Sequence, residues 1–223
     1  MSTLVVYSDT TDGHITSART VGGTTNDYAL VRAGTGLFAN PAYTYLWVGQ
    51  NWAYDSDFDD NSLVVIEGFL AFDTSSIPDG DTVSAAVLNL TALADGSTTD
   101  FTIEARLSDW GTGLTTADYV AGASLSGLTL LAHRATSSGW TAAYDLTDDA
   151  FPANVNKTGT TRLLLCSSRT TAGTSPTIDR DEYVYAYSAD QTGTTRDPKL
   201  TVTYSSSYDP NVPGATQAMM GMV

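Results

Sequence analysis

The sequence has few basic residues and one cysteine, and both shortages limit what the protein can be. Lys and Arg total 10 against 25 Asp and Glu, which gives a formal net charge of -15 at pH 7. Such a surface repels phosphate, so it argues against nucleic-acid binding. The single cysteine, Cys166, cannot form an internal disulfide, and its apolar neighbours predict a buried structural thiol.

Signals for membrane insertion and export are missing as well. No apolar run approaches the roughly 18 residues that a membrane-spanning helix needs. The first residues do not combine a charged segment with an apolar one, so we expect no signal peptide and synthesis in a host cytoplasm. A protein of this kind would leave a cell by lysis or as part of an assembly.

The sequence does contain many short strand-like segments separated by Gly, Thr, Ser and Asp. Phe101, Ile103 and Ala105 share one face of such a segment, with polar residues between them. This period of two is typical of antiparallel sheets with one solvated face. The predicted strands are 4–7, 28–33, 44–48, 63–72, 83–93, 101–107, 128–133, 140–146, 162–167, 183–188 and 199–204.

Helical patterning is scarce. Thr116 predicts the cap of a short turn over 117–120, and Thr147 that of a turn over 148–154, which Pro152 keeps short. Because no internal linker is visible, residues 1–204 predict one all-β domain. The expected fold is an antiparallel, jelly-roll-like β-sandwich with one or two short helical turns, followed by an extended C-terminal tail over 205–223.

Three stretches together carry a family resemblance. They are "GFLAFDTSSIPDGDTVSAAVLNL" at 68–90, "VNKTGTTRLLLCSSR" at 155–169 and "YSADQTGTTRDPKLTVTY" at 187–204. They resemble DNRLRE-type domains, which are related to the β-sandwiches of disaggregatases and some carbohydrate-binding modules, in the variant common in bacteriophage virion proteins. The resemblance spans roughly residues 9–204 and implies the sandwich fold. It leaves the function open, since sandwiches of this kind serve as adhesive subunits, as sugar-binding modules and as spacers.

The residues of these motifs predict structural roles. Phe72 is expected to close a core strand, and Asp73 to Ser75 to start a turn through side-chain bonds to their own backbone. Pro78 and the following Asp-Gly predict a chain reversal. Pro198 stands where a strand begins, a position at which its missing N–H does least harm.

An acidic run, "DSDFDDN" at 55–61, is the sharpest local signal for a metal. Asp55, Asp57, Asp59 and Asp60 supply oxygen ligands at alternating positions, as loops that wrap Ca²⁺ do. The helix-loop-helix calcium pattern fails, however, because its sixth and twelfth positions hold Asp60 and Ile66. A calcium site and a solvated acidic loop therefore both remain open; no other cofactor is expected.

Two rows of alternating aromatic residues predict a contact surface. Such rows stack on sugar rings, or they pack in a core or a subunit interface. Val184 and Ala186, which alternate with the second row, are also apolar, so the sequence leaves open which face is inside. The rows are Tyr43, Tyr45 and Trp47, and Tyr183, Tyr185 and Tyr187.

Signals for catalysis are few, and we expect no enzyme. His14 lies in a Gly/Thr-rich stretch predicted as a loop, and His133 ends an apolar run, where a framework role with a partner is expected. No nucleophile elbow, phosphate-binding loop or His/Cys metal spacing is present. A pair of carboxylates as in glycosidases stays open, since such pairing is spatial.

The C-terminal tail, "SSSYDPNVPGATQAMMGMV", predicts a partner-binding segment. Its prolines favour an extended backbone, and its methionines can fill an irregular apolar groove. Because an isolated tail of this composition should be disordered, we hypothesise that another subunit holds it. The predicted partner-binding residues are Tyr208, Pro210, Pro213, Met219, Met220 and Met222.

The leading hypothesis is a non-enzymatic structural protein on the exterior of a bacteriophage virion. Capsid decoration, as a cement or head-fibre protein, is preferred over a tail-associated component, because the chain is short and lacks fibrous repeats. Its partners would be the major capsid protein or tail and fibre subunits, with homo-oligomers in the assembly, bound through sheet edges, loops and the tail. No nucleic acid or membrane is expected. The alternative is a carbohydrate-binding module or tail-associated adhesin that recognises host glycans.

Overall fold

The computed structural model describes residues 1–21, 25–55, 60–177 and 180–205. Within these ranges the chain forms strands that pair antiparallel throughout, together with short helices. The strands are β1 (Ser2–Tyr7), β2 (Gly13–Val21), β3 (Phe38–Asn40), β4 (Tyr45–Asp55), β5 (Asp60–Asp73), β6 (Thr82–Asp95), β7 (Thr102–Leu107), β8 (Leu130–Ala135), β9 (Ala143–Leu146), β10 (Thr160–Ser167), β11 (Arg180–Tyr187) and β12 (Lys199–Ser205). The helices are α1 (Thr25–Arg32), α2 (Gly122–Leu125) and α3 (Ser168–Ala172), with 3₁₀ turns at Thr116–Asp118, Thr136–Ser138 and Pro152–Asn154.

Nine of the twelve described strands follow one path, β1-β12-β6-β11-β4-β5-β10-β7-β8, which folds back on itself. The other three branch from it, since β2 pairs with β3 and β5, and β9 pairs with β6. One hydrophobic cluster joins its two halves, with Leu88 of β6 and Val184 of β11 from one half and Leu70 of β5 and Leu163 of β10 from the other. Side chains from two facing sheet layers share this core, so the architecture is the predicted all-β sandwich. An isolated bridge from His133 in β8 to Thr147, next to β9, ties the layers together on one side.

A second cluster covers the opposite face of β5 and β10. Phe69 of β5 and Leu164 of β10 pack there against Tyr28 and Val31 of α1 and against Trp110 of the long β7–β8 connection. Because both faces of β5 are covered, its sequence is a nearly continuous apolar run rather than an alternating one.

The predicted turns around β5 and β6 are confirmed. Phe72 is fully buried. The Asp73 carboxylate accepts hydrogen bonds from the Ser75 N–H at 3.0 Å and from the Ser75 hydroxyl at 2.6 Å. The Asp81 N–H donates to the Pro78 carbonyl at 2.9 Å, which closes the reversal before β6.

The strand predicted at 28–33 is wrong, because residues 28–32 belong to helix α1 and residue 33 to the turn that follows it. Tyr28 and Val31, three positions apart, are both buried in the second cluster, whereas Leu30 between them is exposed. This spacing fits one face of a helix and not the alternation of a strand. Asp27 in the first turn and Arg32 in the last also suit the helix dipole.

The segment 9–61, where the sequence predicted strands only at 28–33 and 44–48, holds more regular structure than expected. It contains β2, α1, β3, β4 and the start of β5. The two predicted helical turns are present as shorter 3₁₀ turns, Thr116–Asp118 and Pro152–Asn154. The first of them is preceded by Thr115, whose N–H and hydroxyl donate to the Asp118 carboxylate at 2.8 and 2.9 Å.

Candidate binding surface

The two predicted aromatic rows lie side by side on the outside of the sandwich. Strands β4 and β11 pair so that Tyr45 is opposite Tyr187 and Trp47 opposite Tyr185. Val184 and Ala186 are buried in the first core, so the small residues lie inside and the rings outside. The core alternative for these rings is therefore wrong. We call the outward set the aromatic face: Tyr43, Tyr45, Trp47, Tyr183, Tyr185 and Tyr187.

The rings of the aromatic face pack mostly edge to face. Ring centroids of Tyr45 and Tyr185 are 5.0 Å apart at 82°, and those of Trp47 and Tyr183 are 5.5 Å apart at 90°. Trp47 and Tyr185 form a near-parallel pair, with centroids 5.7 Å apart at 27°. Five of the six rings thus contact one another or His14, and Tyr187 instead contacts Arg196. The face is therefore a ridged surface rather than one flat plane of coplanar rings.

Two glycines make room for this packing. Gly49, opposite Tyr183 in the pairing, has φ +140°, and a Cβ there would lie 2.2 Å from the Glu182 carbonyl oxygen. At Gly96, just after β6, a Cβ would lie 2.4 Å from the Tyr183 ring. A side chain at either position would displace β11 or its rings, so both positions require glycine.

His14 belongs to the same cluster. The sequence predicted a loop here, but His14 lies in β2 and is buried, with ring centroids 5.8 Å from Tyr45 and 6.0 Å from Trp47. Its Nε2 is 3.2 Å from Asn40 Nδ2. Burial lowers the pKa of His14 to about 4, so the ring is neutral at physiological pH. His14 therefore supports the aromatic face as an uncharged ring.

The aromatic face itself is uncharged. Burial, with a contribution from Tyr183, raises the pKa of Tyr185 to about 12, and burial also raises the pKa values of Tyr45 and Tyr183. At one end of the face, Arg196 lies over the Tyr187 ring, 4.8 Å from its centroid, and its Nη1 donates to the Tyr187 hydroxyl at 2.7 Å. The described surface thus offers rings and hydroxyls, with the Arg196 guanidinium over Tyr187 and the Asp181 carboxylate beside Tyr183.

A buried polar network fixes the backbone beside the aromatic face. Arg169 donates from Nε to Glu182 at 2.7 Å, and Gln50 Nε2 donates to the same carboxylate at 2.6 Å. The hydroxyls of Tyr28 and Thr170 donate to Gln50 Oε1 at 2.5 and 3.0 Å. The network joins β4, β11, α1 and α3. Sequence reasoning missed it, because its members are far apart in the chain and match no local motif.

The acidic run remains untested as a calcium site. Asp57 and Asp59 lie outside the described residues, and Asp55 and Asp60 are backbone partners where β4 and β5 end and begin. Within the described part of the chain, no group of three His, Cys, Asp or Glu side chains could hold a metal ion.

The predicted tail residues, Tyr208, Pro210, Pro213, Met219, Met220 and Met222, also lie outside the described residues. The hypothesis that another subunit holds the tail therefore stays a prediction. The described chain ends with β12 at Ser205, one residue beyond the predicted end of the strand.

The remaining sites predicted from sequence have structural surroundings. Cys166 is fully buried, as predicted, and burial raises the pKa of its thiol to about 12. His133 has the expected partner, since its Nδ1 lies 3.5 Å from Asp148 Oδ2. The two histidines take part in different contacts, His14 in the ring cluster and His133 with Asp148, so the described contacts do not pair them for acid–base chemistry.

Two buried carboxyl groups besides Glu182 were not predicted. Asp12 and Glu67 are both fully buried, and one oxygen of each has no hydrogen-bond partner among the described residues. The sequence around Asp12, "TTDGH", does not indicate burial. The sequence around Glu67, "VIEGF", is apolar but gives no other sign that the carboxyl group is buried.

No protein-family model matches the chain, and no curated protein matches it. The resemblance to DNRLRE-type domains therefore remains a prediction from the three motifs. Among the described helices, none has the length and apolar character needed to cross a membrane. The fold and the outward rings define an all-β sandwich with a candidate binding surface on one sheet.

Proposed function

We propose that the protein is a non-enzymatic structural protein of a bacteriophage virion, and that the aromatic face binds a neighbouring subunit. The observation that carries the proposal is the outward position of both aromatic rows on adjacent strands, β4 and β11. Tyr and Trp are enriched at protein interfaces because they bury large areas at little cost in side-chain entropy.

The ring geometry favours a protein partner over a sugar. Sugar stacking uses exposed ring faces, whereas here the Tyr45–Tyr185 and Trp47–Tyr183 contacts turn edges toward faces within the cluster. The side chains of a protein partner can fit between the ridges that result. The rings themselves carry no formal charge in a chain of net charge -15, and the two charged groups beside them, Arg196 and Asp181, are of opposite sign. A partner docked on the rings therefore meets less repulsion than on the rest of the acidic surface.

The virion context rests on the sequence resemblance. The preferred role is that of a decoration, cement or head-fibre protein on the outside of the capsid, with a tail-associated component as the other virion location. In that role the sandwich would supply binding area and hold subunits together, and it would not catalyse a reaction.

The test is competition for incorporation into particles. Trp47→Ala or Tyr185→Ala protein is mixed with wild type during assembly, and the bound ratio is measured by mass spectrometry. We expect each variant to lose about tenfold in occupancy, the effect of losing one interface anchor. Leu30→Ala, at an exposed position on α1, is the matched control and should compete equally. Equal incorporation of all three folded variants would refute the proposal.

A second candidate, a carbohydrate-binding surface, is favoured by one observation. Arg196 lies over the Tyr187 ring and places a charged hydrogen-bond donor beside the aromatic face, an arrangement that many sugar-binding sites share. A glycan array with wild type, Trp47→Ala and Tyr185→Ala separates the two functions. Binding that both substitutions abolish supports the sugar site, whereas no binding to any glycan, together with normal incorporation into particles, excludes it.

A further inference from the structure

The connection between β11 and β12, which we call the closing loop (residues 188–198), folds against the short connection between β1 and β2. Near its start, Ala189 donates its N–H to Asp12 Oδ2 at 3.0 Å. At its end, the Pro198 carbonyl accepts the Ser8 N–H at 2.9 Å. Asp12 therefore joins two connections that lie at opposite ends of the chain.

Three carboxyl groups meet at this contact. Asp12 is fully buried, and its Oδ1 has no hydrogen-bond partner among the described residues. Asp190 and Asp197 of the closing loop lie close enough to repel a negative charge on Asp12. Asp197 is only 7% exposed, and Asp190 Oδ2 is buried without a described partner. Negative charge at this site would therefore be poorly hydrated.

The described contacts supply no cation to offset that charge. Burial outweighs the Ala189 N–H and the Ser8 hydroxyl, which favour the ionised form, and raises the pKa of Asp12 to about 7. His14, two residues further on, is neutral at physiological pH. A proton on Asp12 therefore removes the charge that its surroundings leave unpaired. The described salt bridges lie elsewhere, at Arg106, His133, Arg162 and Arg169.

The middle of the closing loop is held by its own polar contacts and by one contact with the aromatic face. Gln191 Nε2 donates to Asp197 Oδ1 at 3.1 Å. The Arg196 guanidinium lies over the Tyr187 ring. Because residues 192–196 are exposed, this part of the loop can move without opening either hydrophobic core.

We propose that the closing loop is a proton-dependent switch, closed while Asp12 carries a proton and opened when Asp12 ionises. Ionisation places a charge beside Asp190 and Asp197 in a buried site, and that charge becomes hydrated only if the loop moves away. Opening withdraws Arg196 from Tyr187 and uncovers that end of the aromatic face. The switch does not depend on what the aromatic face binds.

The direction and size of the effect follow from proton linkage. The closed loop holds the Asp12 proton more tightly than an open loop with a hydrated carboxyl group does. Closure is therefore favoured fully below about pH 4 and progressively less up to about pH 7. If opening restores the ordinary pKa of 3.8, the ratio of open to closed loop rises about a hundredfold between pH 5 and pH 8.

Amide hydrogen exchange of the isolated full chain tests the switch. The protection factor of the Ala189 amide, corrected for the intrinsic effect of pH, should fall about a hundredfold between pH 5 and pH 8. At both pH values it should be lower than that of Leu164 in the core strand β10. A constant protection factor at Ala189 would overturn the proposal. Protection equal to that of Leu164 would also do so, because Ala189 would then exchange only by global unfolding.

Variants assign the effect to Asp12. Asp12→Asn keeps an acceptor for the Ala189 N–H but cannot ionise, so Ala189 protection should not change with pH. Asp79→Asn, at an exposed turn, is the matched control and should respond as wild type does. Asp190→Asn leaves Asp12 in place and removes one repelling carboxylate, so its fall in protection should be smaller. A full wild-type response in Asp12→Asn or in Asp190→Asn would contradict the proposal.

Hydroxyl-radical footprinting of the isolated protein follows the other end of the loop. Labelling of Tyr187 should rise severalfold from pH 5 to pH 8 in wild type and stay constant in Asp12→Asn, because only wild type releases Arg196. Labelling of Tyr144, beneath Arg134 and outside the aromatic face, should be constant in both proteins. Unchanged labelling of Tyr187 in wild type would overturn the link between the switch and the aromatic face.

Discussion

At the residue scale, the buried carboxyl groups of Asp12 and Glu67 are the strongest departure from an apolar core. The Ala189 N–H donates to Asp12 Oδ2 at 3.0 Å, and the Val120 N–H donates to Glu67 Oε2 at 3.0 Å. Burial raises the pKa of Asp12 to about 7 and that of Glu67 well above its ordinary value. Both groups therefore favour the protonated form in the folded state.

The sign of the pH dependence follows from these shifts. Because the folded state holds the Asp12 proton more tightly than the unfolded state, its contribution to stability is fully present below about pH 4. It is lost as pH rises through about 7. Glu67 acts in the same direction. Through these two groups, the protein should be more stable at mildly acidic pH than at neutral pH.

Asp12→Asn tests this effect. Asparagine keeps an oxygen for the Ala189 N–H but cannot ionise, so the free energy of unfolding should fall less between pH 5 and pH 8. The difference from wild type is at most about 4 kcal/mol at the alkaline end, from a pKa rise of 3.8 to about 7. Urea unfolding across this pH range is the measurement, with Asp79→Asn at an exposed turn as the control. Parallel pH curves for wild type and Asp12→Asn would contradict the account.

Single-residue predictions from sequence succeeded where the cause was local. The turn residues Asp73 and Pro78 behave as predicted, because Asp and Pro act through their own backbone neighbourhood. Asp12 was not predicted to be buried, since its environment is made by Ala189 and by carboxylates near the start of β12. Its burial is set by contacts across the whole length of the chain, which local patterns do not encode.

At the element scale, β4 does most to build the candidate surface. The sequence predicted a strand over 44–48, but β4 runs to Asp55 and pairs with β11 along its first part and with β5 along its last. Pairing with β5 begins at Gly49, while pairing with β11 continues to Trp52. The φ of +140° at Gly49 lies in a region that L side chains rarely adopt. The predicted strand ended one residue before this glycine, at Val48.

Gly49→Ala should therefore be strongly destabilising. A Cβ would lie 2.2 Å from the Glu182 carbonyl oxygen and 2.6 Å from the Tyr183 Cα, both backbone atoms that cannot yield without moving β11. We expect a loss of roughly 3 kcal/mol or more in the free energy of unfolding, the range of backbone strain combined with core disruption. Gly113→Ala, where a Cβ would meet nothing within 4 Å, is the control for denaturant melts. Equal midpoints for the two variants would show that β4 tolerates a side chain at the bend.

At the scale of the whole molecule, the sandwich was predictable but its topology was not. Alternation along segments such as 101–107 fixed the class of fold, because a sheet with one buried face imposes that period. Which strands become neighbours depends on long-range pairing. The rows ending at Trp47 and starting at Tyr183 could be recognised separately, but only the β4–β11 register joins them into one surface.

The central claim is that the aromatic face is covered by a neighbouring subunit in an assembled particle. Hydroxyl-radical footprinting with mass spectrometry tests it most directly, on the isolated protein and on intact particles that contain it. We predict that labelling of Tyr43, Tyr45 and Tyr185 falls severalfold in the particle, while Tyr144, which lies outside the face and beneath Arg134, is labelled equally in both. Equal labelling of the aromatic face in both samples, or particles that do not contain the protein, would contradict the account.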